Sequence, residues 1–323
     1  MKTYNWGIIG CGKVTELKSG PAYQKTEGFS LNAVMRRDID KAKDYATRHN
    51  IPKYYTHADD LINNPEIDAI YIATPPDSHE YYALKVAKAG KICCIEKPMA
   101  PTYQACCNIN KAFQDKNLPL FVAYYRRSLP RFIKIKSWIE NQKIGDIRHI
   151  SWHLSKPANA IDLSKTYNWR TDASIAPAGY FDDLASHGLD LFTFLLGDIL
   201  QADGIAINQQ GLYTSNDAVT GHWLHKSGIT GSGSWNFGTN KREDQVQIYG
   251  SEGKINFSVF NEEPIVLAHN NKIESLIIEH PENIQLYHVQ NIKKHLLNQS
   301  VHPSTGKTAA HTAWVMEKIL NNS

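Results

Sequence analysis

Short apolar runs alternate with helical periodicity over residues 3–123. The runs at 4–9, 31–35, 67–73, 92–95 and 120–123 predict strands. Helical patterns near 13–25, 40–49, 77–89 and 102–116 lie between them. Asp40 and Thr102 stand at N-cap positions, and Gly90 at a C-cap. Strand–helix alternation at this spacing predicts an α/β unit with a doubly wound parallel sheet. The pattern changes past residue 123. Residues 129–142 read as an amphipathic helix with Phe132, Ile135 and Ile139 on one face. A strand at 147–154 follows, then an irregular polar stretch at 156–169. Loops this long in a compact domain are usually functional. A largely buried helix is expected around Leu184, Leu191 and Leu195. Short alternating strands at 205–209, 219–224, 231–237, 245–249 and 254–259 predict an antiparallel meander. Helices at 282–297 and 308–320 close the chain. The expected domains are 1–123 and 124–323. The second would be an α+β domain on a large, mostly antiparallel open sheet, with the uncovered face available to a second copy. No repeat or low-complexity segment is evident.

Composition narrows the class. A chain of 323 residues is too long for one ordinary core and suits two domains. A net charge of +3 gives no case for nucleic acid or a membrane surface. No apolar run reaches the roughly 18 residues of a membrane span. Residues 1–6 run straight into a strand, so no signal peptide is expected. The five cysteines, Cys11, Cys93, Cys94, Cys106 and Cys107, are odd in number and mostly adjacent. That argues against a disulfide framework, for a reducing, cytoplasmic setting, and for apolar filling over a metal site.

Candidate chemistry concentrates at strand ends. The stretch Ile92-Cys93-Cys94-Ile95-Glu96-Lys97-Pro98 is an apolar strand stopped by two charges and a proline. Ligands bind at the carboxyl edge of open parallel sheets. A lysine held there is partly desolvated and usable in proton transfer; a surface Glu-Lys pair is the plainer reading. The first strand runs into Gly7-Ile-Ile-Gly10-Cys-Gly12-Lys13-Val14-Thr15. Gly10 and Gly12 supply a tight turn and a close backbone approach to a pyrophosphate seated on the helix that Lys13 and Val14 open. Thr15 replaces the third glycine of that fingerprint. The second strand ends in Arg36-Arg37-Asp38, where an acidic residue would bond the ribose of NAD. Arginine suits the 2′-phosphate of NADP; if Arg36 is a solvated charge, Asp38 is the ribose partner. Thr74 and Pro75 would line the crevice. His79 either touches the cofactor or serves as an ordinary capping histidine.

In the second half, Trp169 and Arg170 end the polar loop and could hold a small ligand and its oxygens. Asp183 and His187, four apart, share a helix face with Asp190 nearby. A carboxylate beside an imidazole tunes an acid/base group. A structural pair or a metal face is the alternative for the same three residues.

Together these residues resemble the glucose–fructose oxidoreductase/inositol dehydrogenase (Gfo/Idh/MocA) family. The resemblance rests on the glycine turn, Ala73-Thr74-Pro75, Glu96-Lys97-Pro98, Tyr124-Tyr125-Arg126-Arg127, Trp169-Arg170 and the Asp183/His187 spacing. It implies a Rossmann domain, a nicotinamide cofactor (NADP or NAD, with Arg36 favouring NADP), and a sugar, cyclic polyol or dihydrodiol as substrate. It implies Lys97 as the residue polarising the reacting oxygen, with His187 as acid/base and Asp183 in support. Glu96 and Tyr125 are expected near the cofactor, and Lys97, Trp169, Arg170, Asp183 and His187 near the substrate. Tyr125 stands where many members carry asparagine. The resemblance also leaves open an NAD-dependent glycoside hydrolase working by transient oxidation, or a ligand sensor without turnover. A homodimer or homotetramer through the C-terminal sheet is expected.

Overall fold

A computed structural model describes residues 2–320. The chain divides into two compact units. The first comprises the residues up to Ser128 with Pro281–Ala310; the second comprises Leu129–His280 with the residues from His311 onward. A single break after residue 123 is therefore corrected at both ends: Tyr124–Ser128 stays with the first unit, and the segment Pro281–Ala310 returns to it.

The first unit holds β1 (Tyr4–Ile9), α1 (Lys13–Leu17), α2 (Gly20–Lys25), β2 (Phe29–Met35), α3 (Ile39–Arg48), β3 (Lys53–Tyr55) and α4 (Ala58–Ile62). It continues through β4 (Ala69–Ile72), α5 (His79–Lys88), β5 (Ile92–Ile95), α6 (Tyr103–Gln114) and β6 (Leu120–Val122). The six strands are parallel in the order β3-β2-β1-β4-β5-β6, the doubly wound arrangement. Strand β3 and helix α4 are too short to leave a periodic signal. Asp38, not Asp40, caps α3, accepting from the Lys41 amide at 3.1 Å; Thr102 caps α6 as expected.

The helix expected over residues 13–25 is split at Lys18–Ser19. Pro21 stands four residues after Leu17 and has no N–H to offer its carbonyl. That carbonyl accepts instead from the Asn283 side chain at 2.7 Å. The returning segment also closes the core. Val289 and Ile292 are buried with Trp6, Tyr23, Phe29 and Tyr71, and Ser304 donates to the Val122 carbonyl at 2.7 Å, covering the edge strand β6. Its amphipathic helix has no apolar surface of its own to bury against, so it completes this core.

The second unit holds α7 (Pro130–Glu140), β7 (Ile147–Ser155), α8 (Ala160–Leu163), α9 (Tyr180–Leu196), β8 (Ile199–Ile207), β9 (Ala218–His225) and β10 (Thr230–Asn236). Then come β11 (Glu243–Gly250), β12 (Gly253–Phe257), β13 (Ile265–His269) and β14 (Lys272–Leu276). The eight strands run in the order β14-β13-β12-β11-β7-β10-β9-β8. A simple meander would place β11 beside β10. Instead β7 inserts between them, parallel to β10 and antiparallel to β11. Alternation alone cannot report such an insertion, because β7 lies far upstream and reads like any half-buried strand. One sheet face carries α9: Phe181 meets Trp235 edge-on at 4.9 Å, and Phe192 meets Trp152 at 5.5 Å. The pairing register aligns other residues in rows across the opposite face, among them Ile205, Thr220, Ser234, His153 and Gln245. The two remaining helices are α10 (Leu286–Leu296), in the first unit, and α11 (Gly306–Leu320), within which the chain passes into the second.

Candidate active site

Three adjacent strands of the first unit, β1, β4 and β5, deliver the glycine turn, Thr74 and Pro75, and Glu96 and Lys97 to one sheet edge, and Arg36 directly follows β2, beside β1. Gly10 follows β1 with φ +91°, a conformation that favours glycine. A Cβ there would meet Thr74 at 2.7 Å, so the turn packs directly against the loop after β4. Gly12 differs: a Cβ there would meet nothing nearer than the Gly10 carbonyl at 3.8 Å. The turn is thus tight on one side and open on the other, where Lys13 and Val14 begin α1. Backbone N–H groups at a helix start have no partner one turn earlier. These features fit a pyrophosphate. Thr15 is fully buried and its hydroxyl donates to the Gly12 carbonyl at 2.8 Å, closing the turn where a third glycine would sit.

The Arg36 guanidinium donates to the Cys11 carbonyl at 3.1 Å, placing it against this turn, with exposed Arg37 beside it. Asp38 is engaged elsewhere, as the α3 cap and in an ion pair with Lys41 at 2.9 Å. Thr74 carries the Ser78 hydroxyl at 2.7 Å, and Pro75 is exposed beside it.

Two expected cofactor contacts are corrected. His79 is fully buried, with Nε2 2.7 Å from the Thr74 carbonyl and Nδ1 3.0 Å from the Pro98 carbonyl. Burial depresses its pKa. Both nitrogens are spent tying the loop after β4 to the loop after β5, so the ring braces the crevice without lining it. The Glu96 carboxylate also turns inward. It accepts from Tyr71, from the Gln285 amide at 2.6 Å, and from the Lys97 backbone amide at 3.0 Å. Lys97 itself is only partly buried, and its peptide bond to Pro98 is cis. Tyr125 is mostly buried, with the Arg126 guanidinium 5.0 Å from its ring centroid.

In the second unit, the N-terminal half of α9 carries Asp183 and His187. His187 is buried and meets Phe260 edge-on at 5.8 Å. Asp183 accepts from Arg170 Nε at 3.1 Å, and the same guanidinium lies 4.3 Å from the Trp169 ring centroid. Trp169 and Arg170, read separately from the sequence, form one stacked unit on Asp183. Asp190 is fully buried and accepts from Thr312 at 3.2 Å, a tie to α11. Among the described residues, no group of three His, Cys, Asp or Glu side chains could hold a metal ion.

The polar loop before Trp169 proves to be a built network that individual residue identities did not reveal. The Tyr180 hydroxyl donates to Asp162 at 2.6 Å and accepts from Asn168 at 3.0 Å. The Lys156 ammonium stands 3.9 Å from the Tyr180 ring centroid, and burial lowers its pKa. The density of Asn, Asp and Lys between 156 and 169 was the available signal. Gln285, on Glu96, had none, lying far along the chain in an ordinary helical pattern.

A parallel six-stranded sheet with an open glycine turn at its carboxyl edge, followed by a lysine at the end of β5, defines a nicotinamide-dependent oxidoreductase. Family models support this over most of the chain: the oxidoreductase family's NAD-binding Rossmann fold matches residues 4–124, and the GFO/IDH/MocA C-terminal domain matches residues 132–256. Oxidoreductase P35 of Formosa agariphila is 38% identical over 97% of both chains. The 1,5-anhydro-D-fructose reductase of Ensifer adhaerens is 26% identical, covering 86% of this chain and 84% of its own. The chain belongs to the Gfo/Idh/MocA family of oxidoreductases. In fold it is similar to levoglucosan dehydrogenase solved with NADH and levoglucosan, with a TM-score of 0.87, 22% identity, and coverage of 98% of this chain and 96% of that one.

Proposed function

We propose that the protein transfers a hydride between a nicotinamide cofactor, NADP in preference to NAD, and a secondary alcohol or carbonyl of a sugar, cyclic polyol or dihydrodiol. The observation carrying this reading is the convergence of the glycine turn, Thr74 and Lys97 on one edge, from the adjacent strands β1, β4 and β5. Relatives named as a 1,5-anhydro-D-fructose reductase, a levoglucosan dehydrogenase and a trans-1,2-dihydrobenzene-1,2-diol dehydrogenase support the substrate class. When bound, the cofactor supplies the hydride chemistry. The open turn at Gly12, with the amides of Lys13 and Val14, holds its pyrophosphate, while Arg36 meets the 2′-phosphate. Thr74, Pro75 and Tyr125 flank it. Lys97 binds the reacting oxygen and stabilises developing alkoxide charge. His187 takes or returns the hydroxyl proton, and Asp183, fixed by Arg170, supports that exchange. Trp169 and Arg170 contact the substrate.

A panel of sugars, polyols and dihydrodiols, assayed with NAD⁺ and NADP⁺ in parallel, tests the class. In Lys97→Met, turnover should fall by orders of magnitude while cofactor still binds. Near-normal turnover in that variant overturns the assignment.

The face of the eight-stranded sheet opposite α9 supports self-association, as a dimer or tetramer. It holds an open depression of about 350 Å³ lined by Ser151, His153, Ser232, Ser234 and Gln247 among others. Ile205 and Ile273 stand exposed at its two ends. Sedimentation that reports a monomer at micromolar concentration would refute this. Among the described residues the five cysteines form no disulfide, and four of them are buried, which supports a reducing, cytoplasmic setting.

A further inference from the structure

The segment between β14 and α10 does more than close the core of the first unit. Glu282 pairs with Lys25 at 2.6 Å, Asn283 donates to the Leu17 carbonyl at 2.7 Å, and the Gln285 amide N–H reaches the Lys18 carbonyl at 3.4 Å. These contacts seat the segment on the end of α1, the break after it and the end of α2. From that seat the Gln285 side chain, almost fully buried, donates to Glu96 Oε1 at 2.6 Å. Tyr71 donates to the same oxygen. The other carboxylate oxygen, Oε2, accepts the backbone amide of Lys97 at 3.0 Å.

We propose that Gln285 is a positioning residue for Lys97, acting through the Glu96 carboxylate. The proposal rests on the reading of Lys97 as the oxygen-binding residue. A carboxylate holding two donors on one oxygen has its plane fixed, so its second oxygen sits at a set place for the Lys97 amide. The neighbouring backbone at Lys97 is thereby held one residue past the last bond to β4, in which the Glu96 amide donates to the Ile72 carbonyl at 2.8 Å. Without Gln285, the carboxylate keeps Tyr71 as a single anchor and can pivot about it. Because the segment also carries the carbonyl-capping contacts at Leu17 and Lys18, it links the two walls of the cofactor crevice, the α1 side and the β5 side.

Two measurements on the full chain test this. The first is amide hydrogen exchange resolved to Lys97. Gln285→Leu should accelerate exchange at Lys97 about tenfold while Cys93–Ile95, inside the β5 ladder, keep their protection. The second is steady-state kinetics on whichever panel substrate the parent turns over. There kcat should fall about tenfold, with the cofactor dissociation constant within twofold. Tyr71→Phe, which removes one hydroxyl and keeps the ring, should move both readouts in the same direction and serves if Gln285→Leu does not fold. Gln285→Glu adds a pH signature. A protonated carboxyl can still donate to Glu96 and an ionised one repels it, so relative kcat should rise as pH falls. Unchanged Lys97 exchange in Gln285→Leu and Tyr71→Phe overturns the proposal, as does unchanged kcat. If Lys97→Met keeps turnover while Lys97 exchange still responds to Gln285→Leu, the reading of Lys97 has failed and the positional link stands.

Discussion

Arg170 donates from Nε to the Asp183 carboxylate at 3.1 Å while its guanidinium stacks over Trp169 at 4.3 Å. The bond uses the nitrogen nearest the stem. A lysine would keep the charge but lose both the planar stack and the Nε donor. Arg170→Lys should lower kcat/KM by about 10- to 100-fold, or roughly 1.4–2.7 kcal/mol in transition-state binding. The ion pair is partly solvent-facing, so unfolding free energy should change by less than about 1 kcal/mol. Unaltered kcat/KM would remove Arg170 from the proposed substrate set.

We propose that Arg36 selects NADP over NAD. Asp38 is committed to capping α3 and to Lys41, which removes the obvious carboxylate for a ribose 2′-hydroxyl. The guanidinium bound to the Cys11 carbonyl sets a positive charge beside the glycine turn. Arg36→Ala should weaken NADPH binding at least tenfold and NADH binding by no more than about twofold, read by nicotinamide fluorescence. Equal losses for both would show that Arg36 only supports the turn.

The parts of the fold and of the candidate site that are close in sequence are legible as patterns. Parallel strands buried on both faces leave continuous apolar runs, so β1 and β5 could be bounded to the residue. The glycine turn, Lys97 and the Asp183/His187 spacing are local in sequence and survive as patterns. What stayed hidden depends on distant partners. The Glu96 carboxylate turns inward because Tyr71 and Gln285 await it there. His79 disappears into the interior because two carbonyls, at Thr74 and Pro98, claim its ring. Strand β7 enters the middle of the second sheet because β10 and β11 leave a gap that only tertiary pairing reveals.

His302 should make the first unit acid-sensitive. Its Nδ1 lies 3.0 Å from the Ser304 amide and 2.8 Å from the Ser304 carbonyl, and its Nε2 faces the His288 carbonyl at 3.1 Å. Burial pulls its pKa from 6.5 to about 4. The folded form therefore binds its proton only below the pH at which the unfolded chain does. The resulting stability is fully present above pH 6.5 and is lost as pH falls towards 4. At about 1.36 kcal/mol per pH unit, this is roughly 3 kcal/mol. Buried His288 and His79 are depressed in the same direction. Hydrogen exchange over β6 and α10 should thus accelerate between pH 6.5 and 4.5 beyond its intrinsic pH dependence. His302→Gln should be less stable at pH 7 but should flatten that slope. An unchanged slope would place the acid sensitivity elsewhere.

Gly188 sets how closely α9 lies on its sheet, and with it the position of His187 one residue earlier. A Cβ at Gly188 would stand 2.3 Å from Trp152 Cζ3 and 2.5 Å from Cη2. The indole cannot swing aside. It is 1% exposed, and its Nε1 donates at 2.9 Å to Asp244, a carboxylate that also accepts from Ser258 and the Phe260 amide. In an exposed helix, alanine in place of glycine would gain about 1 kcal/mol. Here overpacking against a fixed ring costs about 1–3 kcal/mol and outweighs that gain. Gly188→Ala should therefore be destabilised by up to about 2 kcal/mol in urea unfolding, the difference of these opposing terms. Turnover should fall further than stability, because α9 must lift off the sheet and carries His187 with it. Trp152→Phe removes the clashing six-membered ring of the indole and leaves room for the methyl group. In that background Gly188→Ala should cost markedly less than alone, a coupling of about 1 kcal/mol or more between contacting residues. Strict additivity of the two substitutions would show that the close approach at Gly188 does not determine where α9 lies.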